Sequence, residues 1–182
     1  MDTLALKNGS FSRKQIENIV LVLQNYLNFD GNRPALLMAL SGNETSFGAE
    51  NIFSFEFGWS RSSLAFKRSK LMQQGWELWG DLVCGSYSPW QCLWISAVEQ
   101  GYSVDQSPLE LINPNVSLPF VIKILNKNIL SGAKTVEEIG IAWNAGLGNL
   151  KTPSADAMKY AKRLRQNYES LYKVYQSPQT QP

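Results

Sequence analysis

The chain has 182 residues, 44% of them hydrophobic and 18% charged, which is enough to bury a sizeable core and fits one domain better than two. Lys and Arg number 17 against 15 Asp and Glu, and the resulting formal charge of +2 is too small to point to a nucleic-acid partner. Histidine is absent, which excludes Ser-His-Asp and Cys-His catalysis, histidine general bases and histidine-bearing zinc sites, and leaves carboxylates, Lys, Tyr or Cys for any chemistry.

In chain order, Met1 to Ser10 carries Asp2 and a single Lys with no long apolar core, so it does not read as a secretory signal. Ile16, Ile19, Val20, Leu23 and Leu27 recur at helical spacing and predict a first helix. Its apolar run is far shorter than the roughly 20 residues a membrane span requires. Asp30-Gly31 marks a turn, and Pro34 opens a second helix, apolar almost all round and therefore buried, with its polar groups near the C-terminal end. Phe47 to Gly58 has no helical period and reads as irregular structure or a short hairpin. Ser62 to Trp79 predicts one helix with Leu64, Leu71, Trp76 and Trp79 inward, and Gln91 to Gln100 another.

Asn113-Pro114 turns into a longer helix over Leu118 to Leu130, and Val136 to Trp143 predicts a further one, followed by the loop Asn144 to Gly148. Ser154 or Asp156 caps a last helix with Met158, Ala161, Leu164, Tyr168 and Leu171 on one face. No repeat or linker divides the sequence, so the expectation is a single mainly α domain over residues 1–175 and a frayed tail from Gln176. Cys84 and Cys92 are too few for a zinc cage and read as small buried hydrophobes rather than a disulfide. Neither a metal nor an organic cofactor is implied.

Glu44 stands at the end of the buried helix. The negative end of the helix dipole and desolvation beside apolar residues both raise a carboxyl pKa there, as a general acid near neutral pH requires. An exposed glutamate at a helix end is the plainer alternative. Glu56, between the aromatics of Phe53 to Trp59, is either solvated on a turn or faces a cleft. Trp90 and Trp143 sit among small polar residues in Tyr87 to Gln91 and Ala142 to Gly146, where aromatic faces edged by amides suit sugar rings as well as core packing. Trp76, Trp79 and Trp94 read as core.

Taken together, the order of these motifs resembles the lysozyme-like peptidoglycan lytic transglycosylases of the soluble-lytic type, especially phage-associated branches. Ala39-Leu40-Ser41-Gly42-Asn43-Glu44-Thr45-Ser46 is similar to that family's apolar helix ending in a glutamate followed by a serine, with Thr45 directly after the glutamate and Ser46 one place later. Phe55-Glu56-Phe57-Gly58-Trp59 resembles an aromatic-glutamate-proline-glycine-aromatic stretch, with Phe57 in place of proline. Ser88-Pro89-Trp90-Gln91 keeps the glutamine of a glycine-leucine-methionine-glutamine turn. Trp143-Asn144-Ala145-Gly146 is similar to a tyrosine-asparagine-alanine-glycine loop, and Tyr160 to a tyrosine that faces the catalytic glutamate.

The resemblance spans about residues 30–172. It implies a lysozyme-like fold and cleavage of the β-1,4 bond between N-acetylmuramic acid and N-acetylglucosamine in peptidoglycan strands, yielding a 1,6-anhydromuramic end. Glu44 would be acid and then base, with Ser46, Glu56, Trp90, Gln91, Trp143, Asn144 and Tyr160 as substrate-binding or orienting residues. The alternatives are a muramidase that uses water, with Glu56 as second carboxylate, and a non-catalytic glycan-binding or virion module. Action on the bacterial wall as part of a phage particle, an endolysin or a cell-envelope machine is the corresponding expectation for place and partners.

Overall fold

The computed structural model describes residues 11–50 and 52–176. The expectations for Met1 to Ser10 and for the tail beyond Gln176 lie outside the described residues. Among the described residues the chain is mainly helical, with a small three-stranded sheet. Helix α1 (Arg13–Leu23) starts at a capping box formed by Ser12 and Gln15 and buries Ile16 and Val20. Helix α2 (Arg33–Thr45) starts where the Asn32 side chain accepts the Ala35 N–H, with Pro34 in its first turn. Every residue from Ala35 to Ser41 is buried, which makes α2 the central rod of the molecule.

The chain leaves α2 through two consecutive non-glycine residues at positive φ, Ser46 (50°) and Phe47 (62°). That turn is held by Phe47 N–H to Ser41 O (3.2 Å), by the Arg13 guanidinium over the Phe47 ring, and by Gly42. A Cβ on Gly42 would stand 2.7 Å from that ring, so only glycine leaves it room.

Strand β1 (Phe53–Phe55) pairs antiparallel with β2 (Gly85–Tyr87), which pairs with β3 (Cys92–Leu93). Among the described residues of the Phe47 to Gly58 region, the strand finds its partner far along the chain rather than in a local hairpin, and the hairpin is β2–β3. Two helices, α3 (Leu64–Arg68) and α4 (Lys70–Trp79), replace the single one expected over Ser62 to Trp79. Ser63 and Ser69 each cap a new N-terminus, and Ser69 is extended (ψ 110°), which interrupts the helix. Leu64 consequently points outward, 60% exposed, and Phe66 and Met72 are the buried anchors.

Helix α5 is only Trp94–Glu99, because Cys92 and Leu93 are taken by the sheet. Helix α6 (Pro114–Leu130) starts earlier than expected, at an Asn113 cap, and tolerates Pro119 near its N-terminus. Helix α7 (Val136–Ala145) starts at a Thr135–Glu138 capping box, and α8 (Ala155–Gln176) starts where Ser154 caps the Ala157 N–H. Met158 is exposed rather than inward, because the buried stripe of α8 runs through Ala157, Tyr160, Ala161, Leu164 and Leu171.

Helices α7 and α8 meet closely at Gly140, where an added Cβ would lie 3.0 Å from the Ala161 Cα. The other flank of α8 packs on α2. One hydrophobic core runs through all these helices and under the sheet, with Cys84 and Cys92 as free buried thiols within it. Burial pushes Cys84 up to about 11 and Cys92 to about 12, so both stay protonated at neutral pH and serve as packing groups.

Candidate active site

The stacking of α2, α8 and α7 brings Glu44, Tyr160 and Trp143 together. Glu44 lies in the last turn of α2, where its carboxyl feels unpaired helix carbonyls. Its Oε1 accepts two hydrogen bonds, from the Trp143 indole Nε1 (3.0 Å) and from the Tyr160 hydroxyl (2.5 Å). Burial raises the pKa of Glu44 above the usual 4.5. The two donors and the nearby Arg163 charge lower it, the Glu56 charge raises it, and burial prevails, so the net shift is upward. Tyr160, 8% exposed, is held protonated by burial and by the adjacent carboxylate.

Arg163, one turn beyond Tyr160, ties α8 to the end of α2. Its Nε donates to Asn43 Oδ1 (2.5 Å) and its Nη2 to the Asn43 carbonyl (3.1 Å), so the residue before Glu44 is gripped by side chain and backbone. Thr45, on the other side of Glu44, is buried. Its hydroxyl lies 2.8 Å from Pro89 O and accepts the Gly48 N–H (2.9 Å), which locks the end of α2 to the β2–β3 turn.

Glu44 opens into a cavity of about 800 Å³ walled by Glu56, Gln91, Trp143, Asn144 and the β1 aromatics Phe53 and Phe55, with Phe57 on its rim. The Ser86 hydroxyl lies 2.7 Å from Glu56 Oε1 and 2.8 Å from Gln91 Oε1. It has one proton and serves one of those oxygens at a time. Glu56 is thereby anchored to the sheet rather than left on a solvated turn. Gln91 takes a positive φ (50°) at the last position of the β2–β3 turn, which directs it to the cavity wall.

Of the residues expected at the site, Glu44, Glu56, Gln91, Trp143 and Asn144 wall one cavity, and Tyr160 reaches it through Glu44. Two do not join them. Trp90 is fully buried and donates its indole N–H to Leu37 O of α2 (2.9 Å), so it is a core residue and presents no face to a ligand. Ser46 is exposed at the helix C-cap and does not wall the cavity. The serine within hydrogen-bond distance of Glu56 is Ser86, whose position depends on the β1–β2 register (Ser54 opposite Ser86) and leaves no local sequence signal. The Asn43–Arg163 grip was equally invisible, since the two residues are far apart in the chain.

Phe57 is 81% exposed beside the cavity and packs edge-on to Phe55 (centroids 5.1 Å apart). An aromatic ring left in water at a cavity that amide groups also line is suited to stacking on a flat apolar face of a ligand. Among the described residues no three Cys, Asp or Glu side chains cluster as metal ligands, and no helix is long and apolar enough to cross a membrane. Compared with the models of known protein families, with curated proteins and with solved structures, the chain finds no match.

Proposed function

We propose that the protein cleaves the β-1,4 bond between N-acetylmuramic acid and N-acetylglucosamine of peptidoglycan as a lytic transglycosylase on a lysozyme-like helical scaffold. The observation that carries this reading is Glu44: a buried carboxyl of raised pKa, clamped on one oxygen by Trp143 and Tyr160, at the edge of a large polar and aromatic cavity. Its neutral form is the one a general acid needs near neutral pH.

In the first step the Glu44 proton moves to the glycosidic oxygen as the bond from muramyl C1 breaks, releasing N-acetylglucosamine with a free C4 hydroxyl. Positive charge spreads over C1 and the ring oxygen and is supported by the substrate's own acetamido oxygen. The C6 hydroxyl then attacks C1 and gives its proton to the Glu44 carboxylate. A 1,6-anhydro ring results and the acid is regenerated without water. One carboxyl serves both steps, so no second is required. Gln91 and Asn144 supply amides to the sugar from the cavity wall, and Tyr160 and Trp143 orient Glu44.

Glu56 supports a second reading, hydrolysis of the same bond. It faces the same cavity, and its charge acts on Glu44. As a base it would activate a water on the opposite face of the sugar.

Mass spectrometry of muropeptides released from purified peptidoglycan separates the two. Anhydromuramic ends, lost in Glu44→Gln and retained in Glu56→Gln, uphold the transglycosylase. Reducing muramic ends lost in both variants establish the hydrolase. Absence of any release from several wall types overturns both in favour of a binding or virion role.

A further inference from the structure

Between Phe57 and Trp76 the chain carries four cations, Arg61, Lys67, Arg68 and Lys70, and no Asp or Glu. All four are exposed, and none enters an ion pair among the described residues. The fold gathers them on one edge of the molecule. Phe66 anchors α3 to the core, which turns Leu64, Lys67 and Arg68 outward together at helical spacing. Gln73 of α4 donates its Nε2 to the Lys67 carbonyl (2.8 Å), and one turn later Trp76 carries the Arg61 guanidinium over its ring at 4.3 Å. Lys70 is the first residue of α4, at the positive end of the helix dipole, where a cation weakens the helix rather than supporting it. The first acids beyond this edge, Glu77 and Asp81, lie at the far end of α4, and Asp81 accepts the Trp76 indole N–H (3.3 Å). Folding thus leaves the cluster without a paired counter-charge among the described residues.

We infer that this edge docks the protein on an anionic phospholipid surface, an inference that stands apart from the catalytic reading. Two exposed leucines decide between a lipid surface and a soluble polyanion. Leu64, 60% exposed, shares the outer face of α3 with Lys67 and Arg68, and Leu78, 54% exposed, ends the exposed row Lys70, Gln74, Leu78 along α4. A nucleic acid or another phosphate polymer engages the cations alone and leaves the leucines in water. A bilayer engages both: headgroup phosphates take the guanidinium and ammonium groups, while the leucines and the half-buried Trp76 ring enter the boundary of the acyl region. The docking is peripheral, since no helix among the described residues is long and apolar enough to cross a membrane. Arg61 lies four residues past Phe57, so no more than about 14 Å of chain separates this edge from the rim of the Glu44 cavity. The docked protein holds that cavity close to the lipid.

The test is co-sedimentation of the full chain with vesicles of phosphatidylcholine alone and of phosphatidylcholine mixed with phosphatidylglycerol, at low and at physiological salt, with soluble polyphosphate as competitor. The wild type is expected to sediment with the anionic vesicles and not the neutral ones, and less strongly as salt rises. Each Lys or Arg near such a surface is worth roughly fivefold in binding, so Lys67→Gln combined with Arg68→Gln weakens it by about twentyfold. Leu64→Ser weakens it as well, whereas Lys159→Gln combined with Lys162→Gln, on the outer side of α8, leaves it unchanged. All the substituted side chains are exposed, so the core is untouched in every variant. No binding to anionic vesicles overturns the inference, as does binding that survives the Lys67 and Arg68 substitutions. Binding that ignores Leu64→Ser and is fully displaced by polyphosphate overturns the lipid surface in favour of a soluble polyanion. Muropeptide release from purified wall, which contains no lipid, is expected to stay at the wild-type level in all variants, so the docking surface and the catalytic reading fail separately.

Discussion

The indole N–H of Trp143 donates to Oε1 of Glu44 at 3.0 Å, the same oxygen that accepts the Tyr160 hydroxyl at 2.5 Å. Two donors on one oxygen differentiate the carboxyl: Oε1 is tied to α7 and α8, and neither donor reaches Oε2, which is the oxygen left for the proton in the proposed reaction. Both bonds favour the charged carboxyl over the neutral one and so oppose the burial that raises its pKa.

Trp143→Phe keeps an aromatic ring and removes one donor. The Glu44 pKa then rises further, and the high-pH limb of the kcat profile, where the acid is lost, moves to higher pH. Looser placement of the carboxyl lowers kcat at the optimum by about tenfold, the order of one charge-assisted hydrogen bond. A pH–rate profile of wild type against variant reads both effects.

Glu56→Gln moves the same limb the other way. The Glu56 charge raises the Glu44 pKa, so its removal lets Glu44 ionise at lower pH. Opposite displacement of the limb in Trp143→Phe and Glu56→Gln is expected, and displacement in the same direction would show that Glu44 is not the titrating acid.

Glu44→Gln stabilises the fold at neutral pH. A carboxyl whose pKa is raised by folding contributes fully below its unfolded value near 4.5, and that contribution is lost as pH rises through the folded value. The amide has no such loss, its oxygen can take the Trp143 and Tyr160 donors, and its NH2 faces the cavity. Calorimetry should give a higher Tm for Glu44→Gln than for wild type at pH 8, with the gap shrinking by pH 4.

Thr45→Val removes a hydroxyl that joins α2 to the β2–β3 turn and leaves the Gly48 N–H without its acceptor. The expected cost is about 1–3 kcal/mol. Ser46→Gly, at φ 50° and exposed, relieves backbone strain and should hold or raise stability. Urea unfolding of the pair tests which of the two hydroxyls is structural.

Gly140→Ala presses a methyl group against the Ala161 Cα at 3.0 Å and drives α7 from α8. Overpacking of this kind costs roughly 1–3 kcal/mol. For a chain of this size that lowers Tm by about 2–4 °C per kcal/mol. Because Trp143 and Tyr160 ride on these two helices, activity at a temperature where the variant is fully folded should fall as well.

Much of the helical framework was legible because its signals are local. Pro34 after the Asp30-Gly31 turn, the apolar run of α2 and the helical spacing of Ile16, Ile19, Val20 and Leu23 each act within one or two turns. The serines that divide Ser62 to Trp79 are cap residues by type, yet they sit inside a continuous helical period, and the period alone predicts one helix where two exist. Strand β1 was illegible as a strand of this sheet because its partner is β2, and a pairing across that span leaves no pattern in either segment.

The sequence by itself determined which residue types were available: without histidine, any acid–base chemistry is left to carboxylates, Lys, Tyr or Cys, and Glu44 stands at the end of a buried helix. Only the tertiary structure decided which tryptophan meets that acid. Trp90 and Trp143 have similar neighbours in sequence, but an indole both packs and hydrogen-bonds, and its role depends on what lies across the interface. For Trp90 that is a backbone carbonyl in the core, for Trp143 the carboxyl of Glu44 at a cavity, because the close approach of α7 to α8 at Gly140 sets Trp143 and Tyr160 against the end of α2.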